Sequence, residues 1–387
     1  MGSKRANGEG SIYQRSDGRW CSAIVADDPV TGQRHRTVLY GKTRTEVRHK
    51  LKAATERAEA GGPVRDAKAT VAAWLAQWRA TAPQWRATAL EASTRKPTTK
   101  ELYSSLCRKH LEPEPFGAKP LDHLRPVDVD ALIIALRGKE LADSTVRQVY
   151  TVLRLALDDA MRDGLLASNV AAKVKRPRVA QSEARYLPTA DVKRLLQAAE
   201  KSRYHAVLTL IAGTGLRKGE ALALTWADID FAAATLRVRG TLSRVGKQMI
   251  VTEPKTEKSR RTLPLSPAMV ALLRRHRTSQ RVDQLRAGSE WAASGHVFTS
   301  QHGTPLEPRA VLRALTTAAK AAGIKGANVH TLRHSAATGW IESGVSLKAV
   351  SEALGHSSIA ITGDVYAHVS EQATREAMTP LSDAIGV

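Results

Sequence analysis

Six residues in the second half of the chain, Arg217, Lys255, His330, Arg333, His356 and Tyr366, are of the types that breaking a phosphodiester requires. A phosphodiester under attack gathers negative charge on its non-bridging oxygens, so a catalyst wants fixed cations there and a proton for the departing oxygen. Two arginines, a lysine and two histidines fit that demand. A tyrosine hydroxyl ordinarily keeps its proton up to pH ~10. Neighbouring cations and a nearby base can free the oxygen of Tyr366 to act as a nucleophile, provided that all six residues meet in space.

The surroundings of each residue indicate what must position it. Arg217 follows Gly213-Thr214-Gly215-Leu216, a glycine-rich turn that leads into a helix running through Leu224. Glu220 lies three residues on, on the same helical face, where it can hold the Arg217 guanidinium. Lys255 stands in Pro254-Lys255-Thr256 between two alternating runs, Thr235 to Arg239 and Arg261 to Leu265. Alternation of that kind predicts short strands, with Lys255 on a β-hairpin loop. His330 and Arg333 occur as His330-Thr331-Leu332-Arg333-His334; at i and i+3 of a helix start they share one face. His356 follows Leu354-Gly355, and Tyr366 closes Thr362-Gly363-Asp364-Val365-Tyr366.

Other chemistries find less support. His330 and His334 stand at i and i+4, but no Glu follows His330 and no Cys lies nearby, so no metal ligand set is expected. Gly213 to Gly219 lacks the frame ending in Gly-Lys-Ser/Thr, which argues against a nucleotide loop. No cofactor is expected. Lys plus Arg number 59 against 37 Asp plus Glu, a formal net charge of +22 and a pI near 10.3. That surplus suits a polyanionic partner. No apolar run approaches the ~18 residues of a membrane span, and Met1-Gly2-Ser3-Lys4-Arg5 has no apolar leader. Cys21 and Cys107 are far apart, which fits a reducing, cytoplasmic compartment without a disulfide framework.

Three regions are expected along the chain. In the first, residues 1–62, short strands at Gly10 to Arg15, Arg19 to Val25 and Arg34 to Tyr40 surround the turns Ser16-Asp17-Gly18 and Asp27 to Gly32. Thr43-x-x-Glu46 is a capping box for a helix ending before Gly61-Gly62-Pro63. The second, 66–175, is helical: Val146, Val149, Leu153, Ala156, Leu157, Ala160 and Met161 recur at helical spacing after Ser144, an expected N-cap, and Gly164 stops the helix. A basic tether, Lys173 to Glu183, leads to the third, 184–387, whose first helix starts at Pro188-Thr189-Ala190-Asp191. With aromatics at 4%, cores are expected to be built mostly from Ala, Leu and Val.

The order Arg, Lys, His-x-x-Arg, His, Tyr, together with Leu354-Gly355-His356-Ser357-Ser358 and Tyr366-Ala367-His368-Val369, resembles the tyrosine recombinase family, the DNA integrases of phages and mobile elements. The resemblance spans residues 184–370. It departs from the family at Thr331, where members commonly carry an acidic residue, and at Gly363 before the tyrosine; neither replaces a catalytic group. The resemblance implies a mainly α, multidomain fold: a small N-terminal three-stranded β-sheet plus helix that binds arm-type DNA, a helical core-binding domain, and an α+β catalytic domain. Asn169-Val170 stands where members often have Asn-Pro, a difference expected to matter only for the linker.

The implied activity is site-specific cleavage and rejoining of double-stranded DNA through a 3′-phosphotyrosyl intermediate, integrating or excising a mobile element. Tyr366 would attack, Arg217 and Arg333 clamp the non-bridging oxygens, Lys255 protonate the 5′-oxygen, and His330 and His356 assist. Bond energy stays in the covalent link, so neither ATP nor metal is required. The implied partners are core and arm sites, a homotetramer on DNA with residues 370–387 reaching a neighbouring subunit, and a directionality factor or DNA-bending protein. A host-type dimer resolvase, a tyrosine-type topoisomerase or an inactive DNA-binding relative are the alternatives; the N-terminal sheet and helical domain favour an integrase, and the full set of six groups argues against an inactive relative.

Overall fold

The structure, a computed structural model, describes residues 12–27, 34–59, 69–80, 90, 93–180, 185–253, 260–356, 358–360 and 362–363. The chain divides into two compact units, 1–181 and 182–387.

In the first unit, strands β1 (Tyr13–Gln14), β2 (Trp20–Asp27) and β3 (Arg34–Gly41) form an antiparallel sheet in that order. The β1–β2 turn is tight because Gly18 takes φ +80°, which side chains rarely adopt, and Asp17 accepts from the Arg19 amide at 3.1 Å. The strands pair Ser22 with Leu39 on one face and Cys21 with Tyr40 on the other. Helix α1 (Arg44–Glu59) packs on β2 and β3 and buries Val47 and Ala54. Thr43 caps it, accepting from the Glu46 amide at 3.1 Å, while Glu46 reaches back to the Lys42 amide at 2.8 Å. The expected turn at Asp27 to Gly32 lies, beyond Asp27, outside the described residues.

The helical part of this unit gathers α2 (Val71–Arg79), α3 (Pro97–Leu106), α4 (Pro126–Gly138) and α5 (Asp143–Arg162) around one apolar core. Val146, Val149, Leu153, Ala156, Leu157 and Ala160 of α5 are fully buried, as their spacing predicts. Met161 is not: it falls just past the buried stripe and is 41% exposed. Ser144 is not the N-cap either, because the helix begins one residue earlier, at Asp143, and Ala142 takes the cap position without a side-chain bond. Two tryptophans supply bulk where Ala and Leu were expected to suffice. Trp74 donates its indole N–H to the Ala156 carbonyl at 2.9 Å, and Trp78 donates to Asp159 at 2.7 Å. Asn169 does more than mark a linker: buried, it donates to the Arg154 carbonyl and Asp158 and accepts from the Ala171 amide, fastening the chain to α5.

The second unit packs α6 (Thr189–Ala198), α7 (His205–Thr214), α8 (Lys218–Ala223), α9 (Pro267–Ala287), α10 (Pro308–Ala321), α11 (Val329–Glu342) and α12 (Leu347–Leu354) with short strands. Strands β4 (Ile229–Asp230), β5 (Thr235–Val238) and β8 (Arg261–Pro264) make one antiparallel sheet, in the order β4-β5-β8. The two runs that flank Lys255 therefore do pair. Between them runs a second hairpin, β6 (Thr241–Val245) and β7 (Gln248–Thr252), so the connection is not a simple loop. Residues 254–259, with Lys255, lie outside the described residues.

Candidate active site

Helix α7 ends at Gly215 in the left-handed region, φ +62°. Glycine suits that backbone conformation, and a Cβ there would press on the end of the Leu354 side chain of α12, 2.7 Å away. The reversal places Arg217 at the N-cap of α8. Glu220, one turn in, accepts from the Arg217 backbone amide at 3.0 Å and from its guanidinium at 2.8 Å. One carboxylate thus starts the helix and aims the side chain, as the i, i+3 spacing predicted.

Helix α11 is started by Asn328, whose side chain accepts from the amides of His330 at 2.8 Å and Thr331 at 2.9 Å. The Thr331 hydroxyl in turn accepts from the Asn328 amide at 3.3 Å. A residue with a side-chain acceptor is needed at this third helical position, and threonine fills that role in place of the acidic residue. The helix start exposes His330 and buries Arg333 to 2% exposure. His334, one turn past His330, meets it edge-to-face with ring centroids 4.6 Å apart.

Helix α12 ends at Gly355, again left-handed at φ +66°. Its last carbonyls are where the site closes. Arg333 donates to the Leu354 carbonyl at 2.8 Å and, on its other arm, to the Gly215 carbonyl at 2.7 Å. Arg217 donates to the Gly355 carbonyl at 3.4 Å, and Arg261 to the Ala353 carbonyl at 2.6 Å. A helix C-terminus carries partial negative charge and unbonded carbonyls, which suits it to receive the three guanidiniums that converge there. His356 follows at once; its Nδ1 lies 2.9 Å from the hydroxyl of fully buried Thr362, which leaves Nε2 as the nitrogen available for chemistry.

Arg217, His330, Arg333 and His356 are therefore brought together, and a cavity of about 270 Å³ opens beside Arg217, Lys218, Asn328 and His330. Tyr366 and Lys255 lie outside the described residues. The electrostatics match an anion site. Desolvation on the packed side of the otherwise exposed ring, reinforced by the Arg333 and Arg217 guanidiniums, holds His330 below its ordinary value. The same causes push His356 down to about 4, and burial with the neighbouring His330 and Arg333 pushes His334 down to about 4. Burial by itself would raise the Glu220 carboxyl, but hydrogen bonds and charge from Arg261, then Arg217, outweigh it and hold the group ionised. Among the described residues no cluster of three or more His, Cys, Asp or Glu can hold a metal ion.

Sequence reasoning passed over Arg261, Asn328 and Thr362. For Arg261 a signal existed: it sits two and four residues before Leu263 and Leu265, both buried, so strand alternation places a charge on an apolar face. A charge in that position needs a partner, and Glu220 is the partner at 2.9 Å.

Known proteins agree with this geometry. The Phage integrase family profile matches residues 185–373. The chain is 30% identical over 308 residues to a tyrosine recombinase XerC-like protein of Caldanaerobacter subterraneus subsp. tengcongensis, covering 75% of this chain and 79% of that one. It is 30% identical over 381 residues to an integrase of Streptomyces ambofaciens, covering 95% and 94%. In fold it resembles the Tn1549 transposon integrase in complex with a circular intermediate DNA, with TM-score 0.62, 22% identity, and coverage of 81% of this chain and 100% of that one. It also resembles lambda integrase as a tetramer bound to a Holliday junction, with TM-score 0.57, 19% identity, and coverage of 94% and 96%. No described helix is long and apolar enough to cross a membrane. The chain belongs to the phage integrase family, the site-specific tyrosine recombinases of mobile elements that cleave and rejoin DNA.

Proposed function

We propose that this chain integrates and excises a mobile element, using Arg217, Lys255, His330, Arg333, His356 and Tyr366 as its catalytic set. The observation that carries the assignment is the convergence of Arg217, Arg333 and the His356 turn on the last carbonyls of α12. Arg333 is held by two backbone carbonyls, and Arg217 shares the Glu220 carboxylate with Arg261, so positive charge is left over for an incoming phosphate. Arg217 and Arg333 clamp its non-bridging oxygens, and the charge they meet grows as the nucleophile attacks. Tyr366 attacks phosphorus and forms the 3′-phosphotyrosyl bond while the bond to the 5′-oxygen breaks. Lys255 gives that oxygen its proton. His330 and His356, neutral in the free protein, take up or relay the tyrosine proton. A 5′-hydroxyl of the partner strand then attacks the phosphotyrosine, which restores the phosphodiester and frees the enzyme.

Three DNA-binding parts serve this reaction in our reading: residues 1–62 on arm sites, 66–175 on one face of the core site, and 184–387 as the catalytic domain. Supporting the first is the outer face of the small sheet, where Tyr13, Val38 and Tyr40 are exposed and Arg15 and Arg19 lie over the Tyr40 ring. Such a ribbon can enter the major groove. On DNA the chain assembles as a homotetramer, with residues 370–387 contacting a neighbouring subunit and a directionality factor or DNA-bending protein assisting. It works in the cytoplasm.

The test is trapping on a nicked suicide duplex whose sequence comes from the junction of the element's own circular form. Wild type is expected to become covalently attached at a 3′ end. Tyr366→Phe, which removes only a hydroxyl, is expected to bind that duplex and form no adduct. Full-strength attachment by Tyr366→Phe overturns the assignment.

A further inference from the structure

Arg261 is outside the catalytic set, yet it is an enclosed link in the site. Its side chain is 7% exposed and its partner Glu220 3% exposed. One amino group of its guanidinium donates to Glu220 Oε2 at 2.9 Å and the other approaches Oε1 at 3.4 Å. Nε donates to the Ala353 carbonyl at 2.6 Å. The same group fits against Gly355, where a Cβ would lie 2.8 Å from its Nη1. Strand β8, the Arg217 helix and the turn before His356 therefore meet at one planar cation.

The division of labour around Glu220 follows from exposure. Glu220 faces two arginines: Arg261, enclosed, and Arg217, whose side chain is 38% exposed. With both present, the carboxylate is shared, and the Arg217 guanidinium keeps donors for a phosphate. Without Arg261, a buried carboxylate would retain Arg217 as its main cation, drawing that guanidinium inward, while the Ala353 carbonyl would lose its donor next to the Gly355 turn.

We propose that Arg261 is a positioning residue for strand cleavage: through Glu220 it sets the reach of Arg217 toward the phosphate, and through the Ala353 carbonyl it fixes the turn that presents His356. The proposal rests on the catalytic reading above, because Arg217 must itself act on the phosphate for its reach to matter. Arg261 does not touch substrate. Its effect is on the placement of charge, so it should depend on the charge of the phosphate attacked.

The experiment uses the full chain, the circular-junction suicide duplex, and a matched duplex carrying a neutral methylphosphonate at the scissile position, which lacks one of the charged oxygens that Arg217 would meet. Arg261→Met is expected to slow single-turnover attachment by about 10- to 100-fold on the phosphate, with duplex affinity unchanged. On the methylphosphonate that defect should shrink to about threefold or less, and in an Arg217→Lys background it should be far from additive. Arg261→Lys, which keeps a charge but offers no planar fork, should fall between wild type and Arg261→Met. It carries the test alone if Arg261→Met does not fold. A folded variant that cleaves the phosphate at the wild-type rate overturns the proposal, as does an equal defect on both duplexes, the mark of a merely structural role. Failure of the underlying reading looks different: wild type forms no adduct, or Tyr366→Phe forms one.

Discussion

The α5 stripe in the first unit and the α12 C-terminus in the second are both buried centres, and they are held by opposite means. Around α5, Val149, Leu153, Ala156 and Leu157 remove apolar surface from water, an attraction without direction that asks mainly for volume. Around α12, Arg261, Arg333 and Glu220 bury charge, and each bond has one permitted geometry. The first arrangement stabilises; the second costs desolvation that its hydrogen bonds offset, and in return fixes cations in place before a phosphate arrives. Stability and catalysis should therefore separate when each centre is broken.

The largest effect on folding is expected from Leu153→Ala, which empties a fully buried site and should lower unfolding free energy by about 2–5 kcal/mol. Attachment by the molecules that remain folded should be unchanged. Urea unfolding beside single-turnover trapping checks both halves, and a matching fall in catalytic rate would erase the contrast. Next in size is Arg333→Lys. A lysine cannot span the Gly215 and Leu354 carbonyls that Arg333 bridges, so attachment should slow by more than about tenfold, roughly 1.4 kcal/mol. A near-normal rate would show that the fork is dispensable.

Acidification should sharpen the comparison with a smaller effect. His334 and His356 are both held down to about 4, whereas an unfolded histidine titrates near pH ~6.5. As pH falls through that interval the unfolded chain binds protons that the folded one refuses, so stability present above pH ~6.5 is progressively lost toward pH ~4. Glu220, held low, adds stability above its unfolded value near pH ~4.3 that disappears as pH drops through its folded value. In the first unit, His110 is also lowered, by burial and then by Lys139 and Lys109. The second unit has the greater number of such groups, so a fragment of residues 182–387 should lose melting temperature between pH 7 and 5 more steeply than one of 1–181. Equal slopes would go against the assignment.

Much of this molecule was legible in the chain because the signals are local. The period of α5, the capping box Thr43-x-x-Glu46, the Glu220 partner of Arg217 and the helix start that carries His330 and Arg333 each need only a few neighbouring residues. Some errors were local too, at boundaries: Ser144 lies one residue inside its helix, and Met161 one residue outside the buried stripe.

The sequence by itself determined which residue types can act on a phosphate, their order, and the helices and strands that bear them, since periodicity and capping are properties of adjacent side chains. Only the tertiary structure decided where their charges are anchored. The bond from Arg333 to Gly215 spans 118 positions, that from Arg217 to Gly355 spans 138, and that from Arg261 to Ala353 spans 92. Backbone carbonyls are the same at every position of a chain, so no residue letter marks those that receive the guanidiniums. Packing selects them, when the left-handed turns at Gly215 and Gly355 bring two helix ends together over one buried carboxylate.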